Sequence, residues 1–173
     1  MIRILLFCLC FVFSSQAHAL TLEEGSDAPT RSIEDYIKDY VDIPKGGIDW
    51  KQFGKTKQIS IDVKDKDGLE NQYYKPDFPA ELKALDGKEV IIKGFMFPLD
   101  ETEDQKLFLF GPFPLNCPFQ YHVQSNLVIE VHADKKPVPF TYDPVTLQGT
   151  LELVPEDKEN STFYRLKDAE EIK

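Results

Sequence analysis

The sequence predicts a mainly β protein, a small, strongly coiled antiparallel barrel or sandwich with one or two peripheral helices. Three observations carry that expectation. Five or six short segments read as strands, most of them alternating apolar and polar residues with a period of two. One, residues 89 to 99 (EVIIKGFMFPL), is long, apolar on both faces and interrupted by Gly94. Only residues 32 to 41 show sustained helical spacing.

The chain opens with an address. Residues 2 to 13, IRILLFCLCFVF, place Arg3 before an unbroken apolar run, and Ala17-His18-Ala19 follows shortly after. A cationic start, an apolar middle and an A-x-A site are the three parts of a secretory signal peptide. Cleavage is expected after Ala19, which makes residues 1–19 a signal peptide and the location periplasmic. The apolar run is too short to span a bilayer, which takes about 20 residues. Cys8 follows Phe7 and Cys10 follows Leu9 inside the run, so neither sits where a lipid-anchored cysteine must. No membrane span is expected after cleavage.

Residues 20–48 read as an N-terminal leader followed by an amphipathic helix. Ser32 with Asp35 three positions on has the form of a capping box. Ile33, Tyr36, Ile37, Tyr40 and Val41 then make one apolar stripe, which Pro44 and Gly46-Gly47 end. Trp50 and Phe53 follow as a docking segment.

The barrel domain is expected over residues 49–173. Ile59, Ile61 and Val63 alternate with polar residues, as a half-buried strand would; the charged stretch 64–76 reads as a loop. Pro79 opens a short helix through Leu85, and Asp86-Gly87 is a turn. Gly94 marks a bulge or sharp bend where a Cβ would obstruct coiling. Residues 107–110, LFLF, read as a short buried strand. Leu127, Ile129 and Val131 alternate, as do Val145, Leu147, Gly149, Leu151 and Leu153; Phe163 to Leu166 make a last short strand before a charged tail. The long, Gly-kinked second strand suits a five-stranded Greek-key barrel of the OB type.

Composition narrows the function. The 173 residues are 42% hydrophobic and 29% charged, which excludes a wholly disordered chain. Thirty acidic against 20 basic residues give a net charge of −10, moving to −11 when Arg3 leaves with the signal peptide. That sign opposes a grip on a nucleic-acid backbone, which needs clustered cations. Cleavage also removes two of the three cysteines. Cys117 then has no intrachain partner, and stability must come from the core.

In order and spacing, several of these segments resemble an uncharacterised family of exported bacterial proteins, known as a domain of unknown function. The likeness runs over residues 49 to 170. It is carried by Asp49-Trp50 with Phe53, the LDGKEVIIKGFMFPL segment of residues 85 to 99, and LFLF at 107 to 110. Cys117, Asn126-Leu127-Val128, Gly149-Thr150-Leu151 and Tyr164-Arg165-Leu166 complete it. The resemblance implies an OB-like barrel, a periplasmic or lipid-anchored location and no established reaction. It also implies that some members accompany ABC-type or metal-uptake systems. The family commonly carries C-x-x-C in the loop before the LV strand, whereas Cys117-Pro118-Phe119-Gln120 has only the first thiol.

The most distinctive stretch is the loop 111–126, GPFPLNCPFQYHVQSN. Three prolines stiffen it, and Phe113, Phe119 and Tyr121 offer rigid apolar area that loses little entropy on docking a partner. The alternative reading is that these rings plug one end of the barrel. Cys117, His122 and His132 are soft or borderline ligands suited to zinc. A closed zinc site wants four ligands, and one Cys with two His falls short. A buried inert thiol and two ordinary histidines explain the same residues. A Cys–His nucleophile would need an orienting third group, and neither G-x-S-x-G nor H-E-x-x-H occurs. The acidic runs 100–104 and 156–159 lack the spacing of a calcium loop and read as solvated turns.

The expected function is therefore that of a non-enzymatic periplasmic binding or accessory protein with no cofactor. Its loop 111–126 would dock a periplasmic or envelope protein. The alternative is zinc handling for an ABC-type uptake system through Cys117 and His122. An oligosaccharide- or nucleic-acid-binding OB module is allowed by fold analogy alone.

Overall fold

The computed structural model describes residues 32–64, 66–117 and 123–173. The expected signal peptide and the leader up to residue 31 lie outside the described residues. Ser32 stands at the N-cap of α1 (Ile33–Tyr36), which tightens at once into a 3-10 turn over Ile37–Asp39. The hydroxyl of Ser32 donates to the Asp35 carboxylate at 3.2 Å and caps no backbone amide, so the helix is a turn shorter than its stripe. The stripe still faces inward, with Ile37 and Val41 buried in the same core as the barrel.

Five strands close the barrel in the order β3 (Glu89–Pro98), β5 (Leu107–Gly111), β6 (Ile129–His132), β9 (Tyr164–Ile172) and β8 (Val145–Leu153). Numbered within the barrel, that is 1-2-3-5-4. All neighbours are antiparallel except β6 and β9. This is the OB-type Greek key the long glycine-kinked strand predicts.

Gly94 is where that strand changes partner. Residues Glu89 to Gly94 pair with β8, and Phe95 to Pro98 pair with β5. One strand can serve both neighbours only by coiling tightly. A Cβ on Gly94 would stand 2.6 Å from the carbonyl oxygen of Gly111, so the backbones meet there as they could for no other residue.

Val90, Ile92, Phe108, Phe110, Ile129, Val131, Leu147, Leu151 and Leu166 fill the interior. One end is stoppered by α2 (Trp50–Gly54), whose Trp50 and Phe53 pack on Phe110 and Tyr164 respectively. Asp49 caps this helix by accepting from the Lys51 amide at 2.9 Å. The helix exit is fastened by polar groups. Tyr164 donates its hydroxyl to Thr56 Oγ1 (2.6 Å) and lies 3.1 Å from the Phe53 carbonyl, while Asn126 Nδ2 donates to the carbonyls of Gly54 and Thr56.

Two strand expectations need correction. Residues 64 to 76 are not a loop: β1 (Lys57–Lys64) and β2 (Glu70–Asp77) form a two-stranded hairpin. It stands outside the barrel sheet, and most of its residues on both faces meet water. A strand without a buried face keeps no apolar period, so β2 had none to read. In β1, Ile59 is 47% exposed and Ile61 and Val63 are partly buried, as a half-buried strand requires. The charged tail is also a strand, since β9 runs to Ile172. Its period is interrupted at a bulge opposite Gln148–Thr150, where Asp168 adopts φ +50°. Before β3, α3 (Ala80–Lys83) follows Pro79 and Gly87 turns at φ +70°, both as expected.

Two further short strands, β4 (Asp104–Gln105) and β7 (Val138–Pro139), pair with each other. They tie the loop between β3 and β5 to the connection between β6 and β8.

Candidate functional site

Residues Leu107 and Leu109 alternate with the buried Phe108 and Phe110, so they stand on the outer face of β5. Opposite them on β6, His132 pairs with Leu107 and Glu130 with Leu109, and both alternate with the inward Ile129 and Val131. Together these strands floor an open cleft of about 520 Å³. Leu99, from the loop that follows β3, borders it on one side, and Asn160, Ser161 and Thr162 border it on the other. Val123, Ser125 and Val128 close the remaining wall. The floor is thus aliphatic and one lip is polar.

Asp157 builds that polar lip. Its Oδ1 accepts the backbone amides of Glu159 and Asn160 at 3.0 and 3.1 Å, and its Oδ2 accepts from Thr162 at 3.4 Å. Burial pushes this carboxyl up, but the amide bonds outweigh it and hold the group below the usual carboxylate range. Ser161 is left at φ +53°, with its hydroxyl accepting from the Tyr74 amide at 3.0 Å. Tyr73 donates to Glu156 at 2.7 Å. The hairpin is therefore clamped to the lip.

Glu130 is the one charged side chain among the described residues that line the cleft. Its Oε1 meets Arg165 Nε and His132 Nε2, each at 2.8 Å. Burial raises its proton affinity, yet the two hydrogen bonds and the guanidinium charge prevail and keep it ionised to lower pH than usual. The partner Arg165 is held protonated by the same contact.

Of the residues singled out from the sequence, Phe113 and Cys117 both meet Tyr40, while His132 stands on the outer face of β6. Phe113 is wholly buried, edge-on to Tyr40 at a centroid distance of 5.3 Å, which makes it a core ring and not the docking ring it was expected to be. Cys117 is buried too, with its thiol on the Tyr40 hydroxyl; that hydrogen bond, with burial, raises the phenol's proton affinity. Phe119, Tyr121 and His122 lie outside the described residues. His132 faces outward as expected, but toward Glu130. Among the described residues no three His, Cys, Asp or Glu side chains are grouped to hold a metal. No helix among them is long and apolar enough to cross a membrane.

Comparison with known proteins adds the family. A family model described as "Protein of unknown function (DUF3299)" matches residues 43–172, which contain every barrel strand. The chain belongs to the DUF3299 family. A crystal structure of a DUF3299 family protein from Pseudomonas aeruginosa PAO1, at 2.45 Å resolution, is similar to it. That chain is 24% identical, with a TM-score of 0.41, and the match covers 57% of this chain and 68% of that one. No curated protein matches.

In this DUF3299 barrel the cleft is what reading the sequence missed. Its signal was present in LFLF: a strand apolar on both faces either is buried twice over or carries an apolar outer surface. Leu107, 40% exposed, decides for the second.

Proposed function

We propose that this DUF3299 protein is a non-enzymatic, exported binding module of the periplasm that engages an envelope component through the outer face of β5 and β6. One observation carries the reading. The cleft lies on the second and third barrel strands, between the first-to-second and fourth-to-fifth connections, which is the face OB barrels use for ligands. Its volume falls within the roughly 300–1,000 Å³ of ordinary ligand sites. Export is supported by the signal-peptide pattern of residues 1–19. The stiff loop 111–126 contributes as well, because Val123 and Ser125 at its end belong to the cleft wall.

A photo-reactive residue placed at Leu107, in protein exported to its own compartment, tests this reading. Discrete adducts that disappear in a Leu109→Arg background are expected. Adducts unchanged by that substitution would remove the cleft as the binding face.

A further inference from the structure

The cleft does not end at its wall. Val123 and Ser125 also line a second depression, of about 470 Å³, together with Gln58, Tyr74 and Gln124. The two hollows therefore adjoin at the 123–125 segment, with Leu99 and Leu107 lining the first and Tyr74 of the hairpin lining the second. Adjoining hollows suit an extended chain better than a compact small molecule. Their composition restricts the chain further.

The apolar lining of the first hollow is Leu99, Leu107, Leu109, Val123 and Val128, and none of its described lining residues is aromatic. Sugars and nucleobases are held by stacking on rings, and among the described lining residues of the two hollows only Tyr74, in the second, offers one. Aliphatic side chains instead accept aliphatic side chains. The side chains of Asn160 and Thr162 on the lip, and of Ser125 on the wall, bring polar groups suited to a ligand that carries its own amides. Charge completes the selection. Glu130 is the only ionised group among the described lining residues, and the whole chain is at −10, so an anionic ligand such as a fatty acid or phosphorylated polymer is opposed.

We infer that the occupant is an extended polypeptide segment, with aliphatic side chains at alternate positions and no excess of acidic residues. The inference rests on the cleft being the binding face. In an extended chain alternate side chains point the same way, so one row would enter the leucine floor while the main chain met the polar lip.

Selection from a random heptapeptide phage library on the purified exported protein tests it, with a panel of neutral glucose- and N-acetylglucosamine-based pentasaccharides run in parallel. Enriched heptapeptides should carry Leu, Ile or Val at i and i+2, and be depleted in Asp and Glu. Their affinity should fall at least tenfold for Leu109→Arg and for Leu107→Arg, each verified as folded by its melting curve. Pentasaccharide binding that Leu109→Arg abolishes, without peptide enrichment, would overturn the peptide assignment and leave the cleft standing. Enrichment of peptides that bind both variants as well as the parent, or of nothing at all, would overturn both.

Discussion

The indole Nε1 of Trp50 donates to the carbonyl of Lys93 at 2.7 Å, one residue before the glycine at which β3 exchanges one neighbour for the other. The helix that stoppers the barrel is thereby bonded to the strand beside the point where it changes partner. Trp50 is 2% exposed and the sole tryptophan of the chain, so it reports on that junction alone. Its emission should be blue-shifted and poorly quenched by iodide in the native state. Emission typical of water-exposed indole would show that the stopper is not seated.

Gly94→Ala should destabilise the barrel. The new methyl would press on the Gly111 carbonyl and the Phe110 ring, and neither can retreat without opening the β3–β5 pairing. A loss of about 1–3 kcal/mol is expected from overpacking of this kind. Gly68, which has nothing within 4 Å of an added Cβ but sits at φ +79°, is the control for backbone strain alone. Urea midpoints compare them, and equal shifts for the two would count against a steric role at Gly94.

Tyr164→Phe removes one hydroxyl and strands Thr56 Oγ1 in a buried setting. Burial raises the phenol's proton affinity well above its ordinary value, so it acts as a neutral donor at any working pH. Leaving a buried polar group without its partner costs about 1–3 kcal/mol. Thermal melts of the variant and of Thr56→Val would measure it. The double variant should lose less than the sum of the two, because the hydroxyls depend on each other.

Acid should loosen the cleft. Glu130 and Asp157 both have native proton affinities below those of the unfolded chain, because hydrogen-bond donors outweigh the effect of burial. Such groups stabilise fully above the unfolded values, about 4.3 for Glu and 3.9 for Asp. That contribution is lost as pH falls through the native ones. Stability should therefore decline below about pH 4. Glu130→Gln should show a shallower decline, with lower stability at pH 7. Urea titrations between pH 7 and pH 2.5 would expose the difference.

How much could be read in advance follows from where water touches the chain. Gly94, the alternation of Val145 to Leu153 and the stripe of Ile33 to Val41 all record burial on one side only, and each was legible. Strand β2, Glu70 to Asp77, has little burial to record; only its backbone pairing with β1 makes it a strand. The bulge at Asp168 breaks the period of β9, and its charged residues alternate with nothing. Phe113 and Cys117 were conspicuous because they are unusual in a loop, yet both are buried where the loop returns to the core. Leu107 and Leu109 attracted no notice, since aliphatic residues in a strand read as interior. A binding face made of such residues is hidden from pattern analysis by its resemblance to a core.

Methyl-resolved NMR is the most direct test, because the proposed floor is built from leucine and valine. The protein would be labelled at those methyls and titrated with a heptapeptide selected on it. Shifts concentrated at Leu99, Leu107, Leu109, Val123 and Val128, with interior methyls such as Leu147 and Leu151 unmoved, are the predicted result. Shifts clustered elsewhere on the barrel, with those five unchanged, would contradict the account.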